Sequence, residues 1–494
     1  MTSSDNTGDN VKKWSILSIM ILGSFFALFN QTTMTVALPP LMEAFNIEAS
    51  TGQWLTTGYM LVNGVLIPVT GFLMKRFSTR QLYLAAMIIF LAGTIVSAIA
   101  PTFAVLLIGR LIQAASTGIM MPLLMNVVLS LFPPEKRGTA MGTVGLAIIF
   151  APAVGPTLAG YILDNFSWRV LFYGMIPFVF IIIICASIFL KNVSETTTSK
   201  MDFISLVLST IGFGGILYGF SEAGNIGWGH WEVVISLFVG FSTIWIFSWR
   251  QLKSNDPFLD LRAFRYNMFS LTTIINCTVT FVMYADMILL PLYLQNARGF
   301  TAFESGLLML PGALLMGLLS PMVGKLFDRF GVKWLAIIGL IIILLTTYTF
   351  TNLTDSISYT VLILMYAGRR LGMALFLMPL QTAGLNQLPN SLHAHGTAIS
   401  NTTRQVAGAI GTSLIVTIMT SRTKDHLQEM MTNGATGTDE DLIMEASIQG
   451  INDAYFTMLF FAFISLVLSF FIKRVTQAPE ESMQTTKKNS KPEE

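Results

Sequence analysis

Charge is what this 494-residue chain has least of. Acidic and basic residues together make up 11% of it, where soluble domains carry about a quarter, and 53% of positions are hydrophobic. Cysteine is nearly absent. The two present, Cys185 and Cys277, both lie inside apolar runs, which argues against a disulfide framework or a thiolate metal site. The four histidines (His230, His393, His395, His426) lack metal-ligand spacing, and there is no GxxxxGK loop to hold a nucleotide. A net charge of +2 carries no basic excess for nucleic acid. The expectation is a chain that is not an enzyme and needs no cofactor.

What the chain has in quantity is apolar blocks. Fourteen of them are long enough to span a bilayer, beginning with Trp14 to Met42, a run too long for the core of a cleaved signal peptide. The expected fold class is all-α integral membrane, with 14 transmembrane helices. An even number of spans puts both termini on one side. Of the 29 Lys and Arg, 21 fall on the side of the termini, four on the other and four inside spans, so the termini are expected to be cytoplasmic.

The chain also repeats itself. PVTGFLMKRFSTR (Pro68 to Arg80) aligns without gaps to PMVGKLFDRFGVK (Pro321 to Lys333), matching Gly71 with Gly324, Arg76 with Arg329 and Phe77 with Phe330. Gly109-Arg110 and Gly368-Arg369 each precede a Met-Pro pair, and spans 5 and 13 both open on Gly-Thr-Ala. Two six-span halves are therefore expected around a two-span insert. The tail is 1–13, the first half 14–190, the insert with its cytoplasmic linker 191–267, the second half 268–474 and the last tail 475–494. Parallel halves place a substrate cavity at their interface.

Span 5, from Gly138 to Asp164, holds Gly142, Ala151, Gly155-Pro156 and Ala159-Gly160, small residues and prolines that would break a soluble helix. In lipid the backbone stays helical and small residues let helices approach closely. This spacing resembles the antiporter signature of the major facilitator superfamily, with alanine at two of the glycine positions. The repeated loop is similar to that superfamily's cytoplasmic signature, kept in the second half by Gly324, Asp328, Arg329 and Gly331. The first half departs from it, with Lys75 where the aspartate belongs. NQTTMTVALP in span 1, WLTTGYML in span 2, GRLIQAASTGIMMPL in span 4 and GTAISNTTRQVAGAIGTS in span 13 narrow the resemblance to the fourteen-span drug:proton antiporter family, and to lincomycin-type exporters of Gram-positive bacteria. That resemblance implies a major facilitator fold and a cytoplasmic gate at Gly71, Arg76 and the second-half loop.

Ionisable groups inside spans are costly, so each is a functional candidate. Asp286 is the strongest, because no basic residue lies within a turn of it in sequence and a carboxylate that changes protonation is what proton antiport needs. The alternative is a structural pair with Arg110, Arg369 or Arg404. Arg110 is implied by the resemblance to take part in proton coupling, and Glu222 is a weaker proton site. Many relatives carry aspartate where this chain has Asn30. Candidate substrate contacts are Asn30, Gln31, Tyr59, Gln113, Met121, Tyr284, Tyr293, Arg369, Met373, Phe376 and Arg404, in which thioethers repack around varied ligands and polar groups orient them.

The function expected is proton-coupled efflux of amphiphilic drugs or antibiotics, lincosamides among them, by alternating access across a bacterial plasma membrane. The proton is the coupling ion. Partners are the small substrate and the bilayer, with a monomer as default and no nucleic acid. The alternatives are export of an endogenous lipid, peptide or metabolite, or a non-transporting membrane sensor of the same fold.

Overall fold

The computed structural model describes residues 4–132, 134–192, 202–254, 257, 259–389, 392–433 and 438–473. Among these residues there is no strand. The chain runs through α1 (Ser4–Phe45), α2 (Ala49–Gly52), α3 (Trp54–Arg76), α4 (Thr79–Ala98), α5 (Phe103–Leu131), α6 (Pro134–Asn165), α7 (Val170–Tyr173) and α8 (Met175–Phe189). It continues through α9 (Phe203–Ile226), α10 (Trp231–Lys253), α11 (Asn267–Leu292), α12 (Ala302–Phe330), α13 (Val332–Phe350), α14 (Tyr359–Leu385), α15 (His393–Thr432) and α16 (Asp439–Ser469). Eleven of the described segments are long and apolar enough to cross a membrane, with α7 and α8 forming one of them. The other long helices are α3, α6 and α15, of 23, 32 and 40 residues.

Local chemistry starts the helices where chain reversals require it. Ser78 with Gln81 opens α4, Thr301 with Glu304 opens α12, and Thr438 with Asp441 opens α16, each as a reciprocal capping box. Asp202 caps α9 and is paired at 3.0 Å with Arg250 of α10. Partial burial pushes its carboxyl up, but hydrogen bonds from Arg250 and Ser205 outweigh that and hold it below the usual carboxylate range. Prolines sit inside α1, α5, α6, α11 and α14 without ending them. After Pro291 the chain widens into a π turn at Tyr293–Ala297.

Among the described residues the segment 421–453 is mostly helical. α15 extends to Thr432 and α16 begins at Asp439, so the two project together on the face opposite the termini. Arg422 pairs with Asp453 at 2.6 Å, and His426 lies 2.9 Å from the same carboxylate, which ties the projecting ends to each other. Residues 1–3, 193–201 and 474–494 lie outside the described residues, so the whole of the expected last tail, 475–494, does too.

Packing crosses the middle of the molecule chiefly where α6 lies on α12, α3 on α15, and α1 on α11. α9 leans on both α3 and α15, and α10 packs outside α9, presenting Trp245 at 77% exposure and Phe238 at 71%. The α6–α12 contact is the closest in character. A Cβ on Gly160 would strike the Ala302 carbonyl and the Phe303 backbone, and one on Gly306 would strike the Pro156 carbonyl. Gly160→Val should therefore destabilise the protein by about 1–3 kcal/mol, because neither neighbour is a movable side-chain tip. Thermal unfolding of the detergent-solubilised protein checks this, and an unchanged midpoint would mean the helices part at no cost.

Candidate functional site

The repeated Gly-Arg pairs place one arginine two turns into α5 and one three turns into α14, both with no exposed side-chain surface. In the last helices, Arg369 Nη1 donates to Asp286 Oδ1 at 2.7 Å and Nη2 donates to Thr347 of α13 at 3.3 Å. The Tyr455 hydroxyl of α16 donates to the same Asp286 oxygen at 2.9 Å. Phe350 and Tyr455 flank the guanidinium, each ring centroid 5.4 Å from it. Asp286 Oδ2 is buried with no hydrogen-bond partner among the described residues. The partner of Asp286 thus comes from a helix 83 residues away rather than from its own.

Asp286 faces the interior of α11, α13, α14 and α16, not the seam with α1. Tyr284 precedes it by two residues, about 200° around the helix, and so faces the other way. Tyr284 stands beside Gln31 of α1 and Arg404 of α15 and packs on Gly408. Asp286 is thus paired with Arg369, one of the three arginines weighed as its structural partner, and the seam residues on α11 lie on its opposite face.

Arg110 Nη1 is hydrogen-bonded to Asn30 Oδ1 and donates to Gln113 Oε1 at 2.9 Å. Tyr59 covers its guanidinium at 4.4 Å. Gln113 donates in turn to Thr94 of α4 at 2.9 Å, and Asn30 Nδ2 donates to the Met175 sulfur at 3.4 Å. Asn30 and Gln113 are thereby committed to the arginine.

Other expected contacts are elsewhere. Met373 and Phe376 are fully buried among α11, α13 and α14, where they fill core rather than cavity. Tyr293 donates to the Thr354 carbonyl at 2.6 Å, at the face opposite the termini. Met121 is half-buried, and Glu222 is half-buried near the far end of α9, one turn beyond Tyr218. Of the antiporter spacing, Gly155 packs on Thr32 of α1, which also donates to the Ala151 carbonyl at 3.5 Å, while Pro156 and Gly160 meet α12. Arg76 and Arg329 are exposed, Gly324 lines a cleft between α12 and α14, and Gly331 takes φ +77° to end α12. Gly71, Gly142 and Asp328 lie on helices, but their surroundings fall outside the described residues.

Contacts joining α1–α8 to α11–α16 gather on the face opposite the termini. Asp164 accepts from the backbone N–H of Ala302 at 3.0 Å and of Phe303 at 3.1 Å, sealing the start of α12 with a carboxylate. Thr157 donates to the Gly306 carbonyl at 3.0 Å, Gln295 to the Val36 carbonyl at 3.2 Å, and Thr57 meets Thr412 at 3.0 Å. Lys424 stands 3.7 Å from Glu48. Asp164 closes the very stretch singled out from sequence, yet the sequence offered no signal for its partner.

Two bundles of like construction, each centred on a buried arginine and meeting chiefly along three helix pairs, accord with a match of residues 20–412 to the family described as Major Facilitator Superfamily. The chain belongs to that superfamily. Its members are transporters, and this chain is a transporter rather than an enzyme. It is 46% identical over 93% of its length to the uncharacterized MFS-type transporter YhcA of Bacillus subtilis, covering 93% of that protein. It is 43% identical over 95% of its length to the lincomycin resistance protein LmrB of the same organism, covering 98% of it, and 41% identical to LmrB of Listeria monocytogenes, covering 94% of this chain and 98% of that one. Among solved structures it is similar in fold to a bacterial homolog of the human lysosomal transporter Spinster. That likeness has a TM-score of 0.66 at 15% identity and covers 93% of this chain and 96% of that one.

The seal at α12 generates a prediction. Asp164→Ala removes a charged helix cap and should ease opening of that face by about 0.5–2 kcal/mol. A cysteine replacing Thr157, in a background lacking Cys185 and Cys277, should then react with an impermeant maleimide about 2- to 30-fold faster. Unchanged labelling would mean the cap does not hold the face closed.

Proposed function

We propose that this protein exports amphiphilic antibiotics, lincosamides among them, in exchange for protons across the plasma membrane of a Gram-positive bacterium. The reading of fourteen spans takes in α3, α6 and α15 beside the eleven apolar segments, with two six-span halves flanking α9 and α10. Both termini are cytoplasmic and the working unit is a monomer. What supports the substrate class is identity above 40% to proteins named for lincomycin resistance, together with 28% identity over 82% of the chain to the multidrug export protein EmrB of Escherichia coli.

The observation that carries the coupling is the Asp286–Arg369 pair with its free Oδ2. A proton arriving on Oδ2 neutralises the carboxylate and loosens its hold on Arg369, a change too large for a dry interior to absorb without rearrangement. α11 carries that pair on one face and the Tyr284–Gln31 contact on the other. Rotating or shifting α11 therefore transmits protonation to the seam, where Gln31, Tyr59, Tyr284 and Arg404 meet substrate. Parting of the sealed far face, with closure by the loops of Arg76 and Arg329, completes the alternation. Arg110, by anchoring α5 to α1, keeps the first half rigid during it.

In vesicles loaded with purified protein, lincomycin accumulation driven by an imposed pH gradient should fall at least about tenfold in Asp286→Asn and in Arg110→Ala. If Asp286→Asn accumulates lincomycin as steeply with pH as the unaltered protein, Asp286 is not the coupling group.

A further inference from the structure

The two arginine centres correspond helix for helix. The first span of each half supplies the group facing the arginine, Asn30 from α1 and Asp286 from α11. The fourth supplies the arginine itself, from α5 and α14. The third supplies a threonine, Thr94 through Gln113 on one side and Thr347 directly on the other. The sixth supplies a second contact to the facing group, the Met175 sulfur to Asn30 and the Tyr455 hydroxyl to Asp286. Both arginines are fully buried, both lie over aromatic rings, and both have an unpartnered Nε. Sequence repeats showed only the Gly-Arg pairs, because the facing groups and the sixth-span contacts differ in type and the members are scattered over more than a hundred residues in each half.

Beyond the Gln113 bridge and the exchange of the Met175 sulfur for the Tyr455 hydroxyl, the difference that bears on protons is that an amide stands where the other centre has a carboxylate. An asparagine has the shape of a protonated aspartate. Its Oδ1 accepts from the guanidinium and its Nδ2 donates, as a carboxylic O–H would, and here Nδ2 does donate, to Met175. We propose that the two centres are copies of one proton-binding device, of which the first is silenced by Asn30 in the protonated-like arrangement, so that of the two facing groups only Asp286 can take up and release a proton. The proposal rests on the coupling role of Asp286. The transfer is a simple one: a proton from water adds to Oδ2, the carboxylate becomes a carboxylic acid, and the pair with Arg369 becomes a neutral-to-cation hydrogen bond.

The groups facing Asp286 are Arg369, Tyr366 and the neighbouring Arg370 from α14, Tyr455 from α16, and the uncharged Thr347 and Phe350 from α13. α1 and α15 meet the other face of α11, with Gln31 and Arg404. Those facing Asn30 are Arg110 of α5, with Tyr59 of α3 across the guanidinium, and Met175 of α8. The first centre thus already holds a cation ready to receive a carboxylate.

The test exchanges the two side chains, which are nearly equal in shape, in the full-length protein. Titrating carboxyls are followed by the infrared carbonyl band of the protonated acid across a pH series, and transport by gradient-driven lincomycin accumulation in vesicles. Asn30→Asp should add a titrating buried carboxyl to the one lost in Asp286→Asn. The double variant Asn30→Asp/Asp286→Asn should regain a single titrating carboxyl and transport at least about tenfold above Asp286→Asn alone. The proposal is overturned if Asn30→Asp adds no titrating group, or if the double variant titrates yet transports no better than Asp286→Asn. Full transport by Asp286→Asn itself is a separate result, which removes the coupling role on which the proposal rests.

Discussion

A carboxylate and a guanidinium lie 2.7 Å apart with no exposed surface on either, and the rest of the molecule is arranged around that contact. Stripping water from two charges costs several kcal/mol for each, which only close geometry and additional hydrogen bonds offset. The pair therefore recruits α13 through Thr347 and α16 through Tyr455, and four helices become one unit. The arrangement is firm when charged and ill-matched once protonated. Removing one member of such a pair typically costs about 3–5 kcal/mol, and adding a proton removes the attraction without removing an atom.

A switch buried inside one bundle has effect only if something reports it outside. α11 is built for that, since Asp286 and Tyr284 occupy opposite faces of one rigid helix. The same logic recurs on α6, where Gly155 leaves room for the Thr32 side chain of α1 and Gly160 meets the backbone of α12, so that one helix of small residues binds both neighbours. The backbone contact with α12 is made or broken as a whole, because no flexible side chain is present there to stretch. The seals at Asp164 and Thr157 add hydrogen bonds to that closeness on one face of the molecule.

The polar groups of the seam fall on helices that a hydropathy count ranks lowest. α15 carries Asn401, Thr402, Arg404, Gln405, Thr412 and Ser413, and it packs on α3, α9 and α11, away from lipid. Greasy α10, by contrast, has its aromatic side chains outermost. In a bilayer the polar helix is the central one, the reverse of a protein in water.

Much of this was open to reading along the chain. Long apolar runs have to be helices, because a backbone in lipid must satisfy its own hydrogen bonds. The Gly-Pro spacing of α6, the doubled Gly-Arg and the lone Asp286 all stood out as exceptions to apolar monotony. Which way each faced did not. Met373 and Phe376 look like cavity lining and are core, and Tyr293 looks like a substrate contact and holds a loop. Composition and periodicity determined the class, the helices and the few costly residues, because those follow from the solvent each segment must enter. The tertiary structure alone decided their partners, since Arg369 and Tyr455 reach Asp286 across 83 and 169 residues of chain, and only the packing angle of the helices brings such groups within hydrogen-bonding distance.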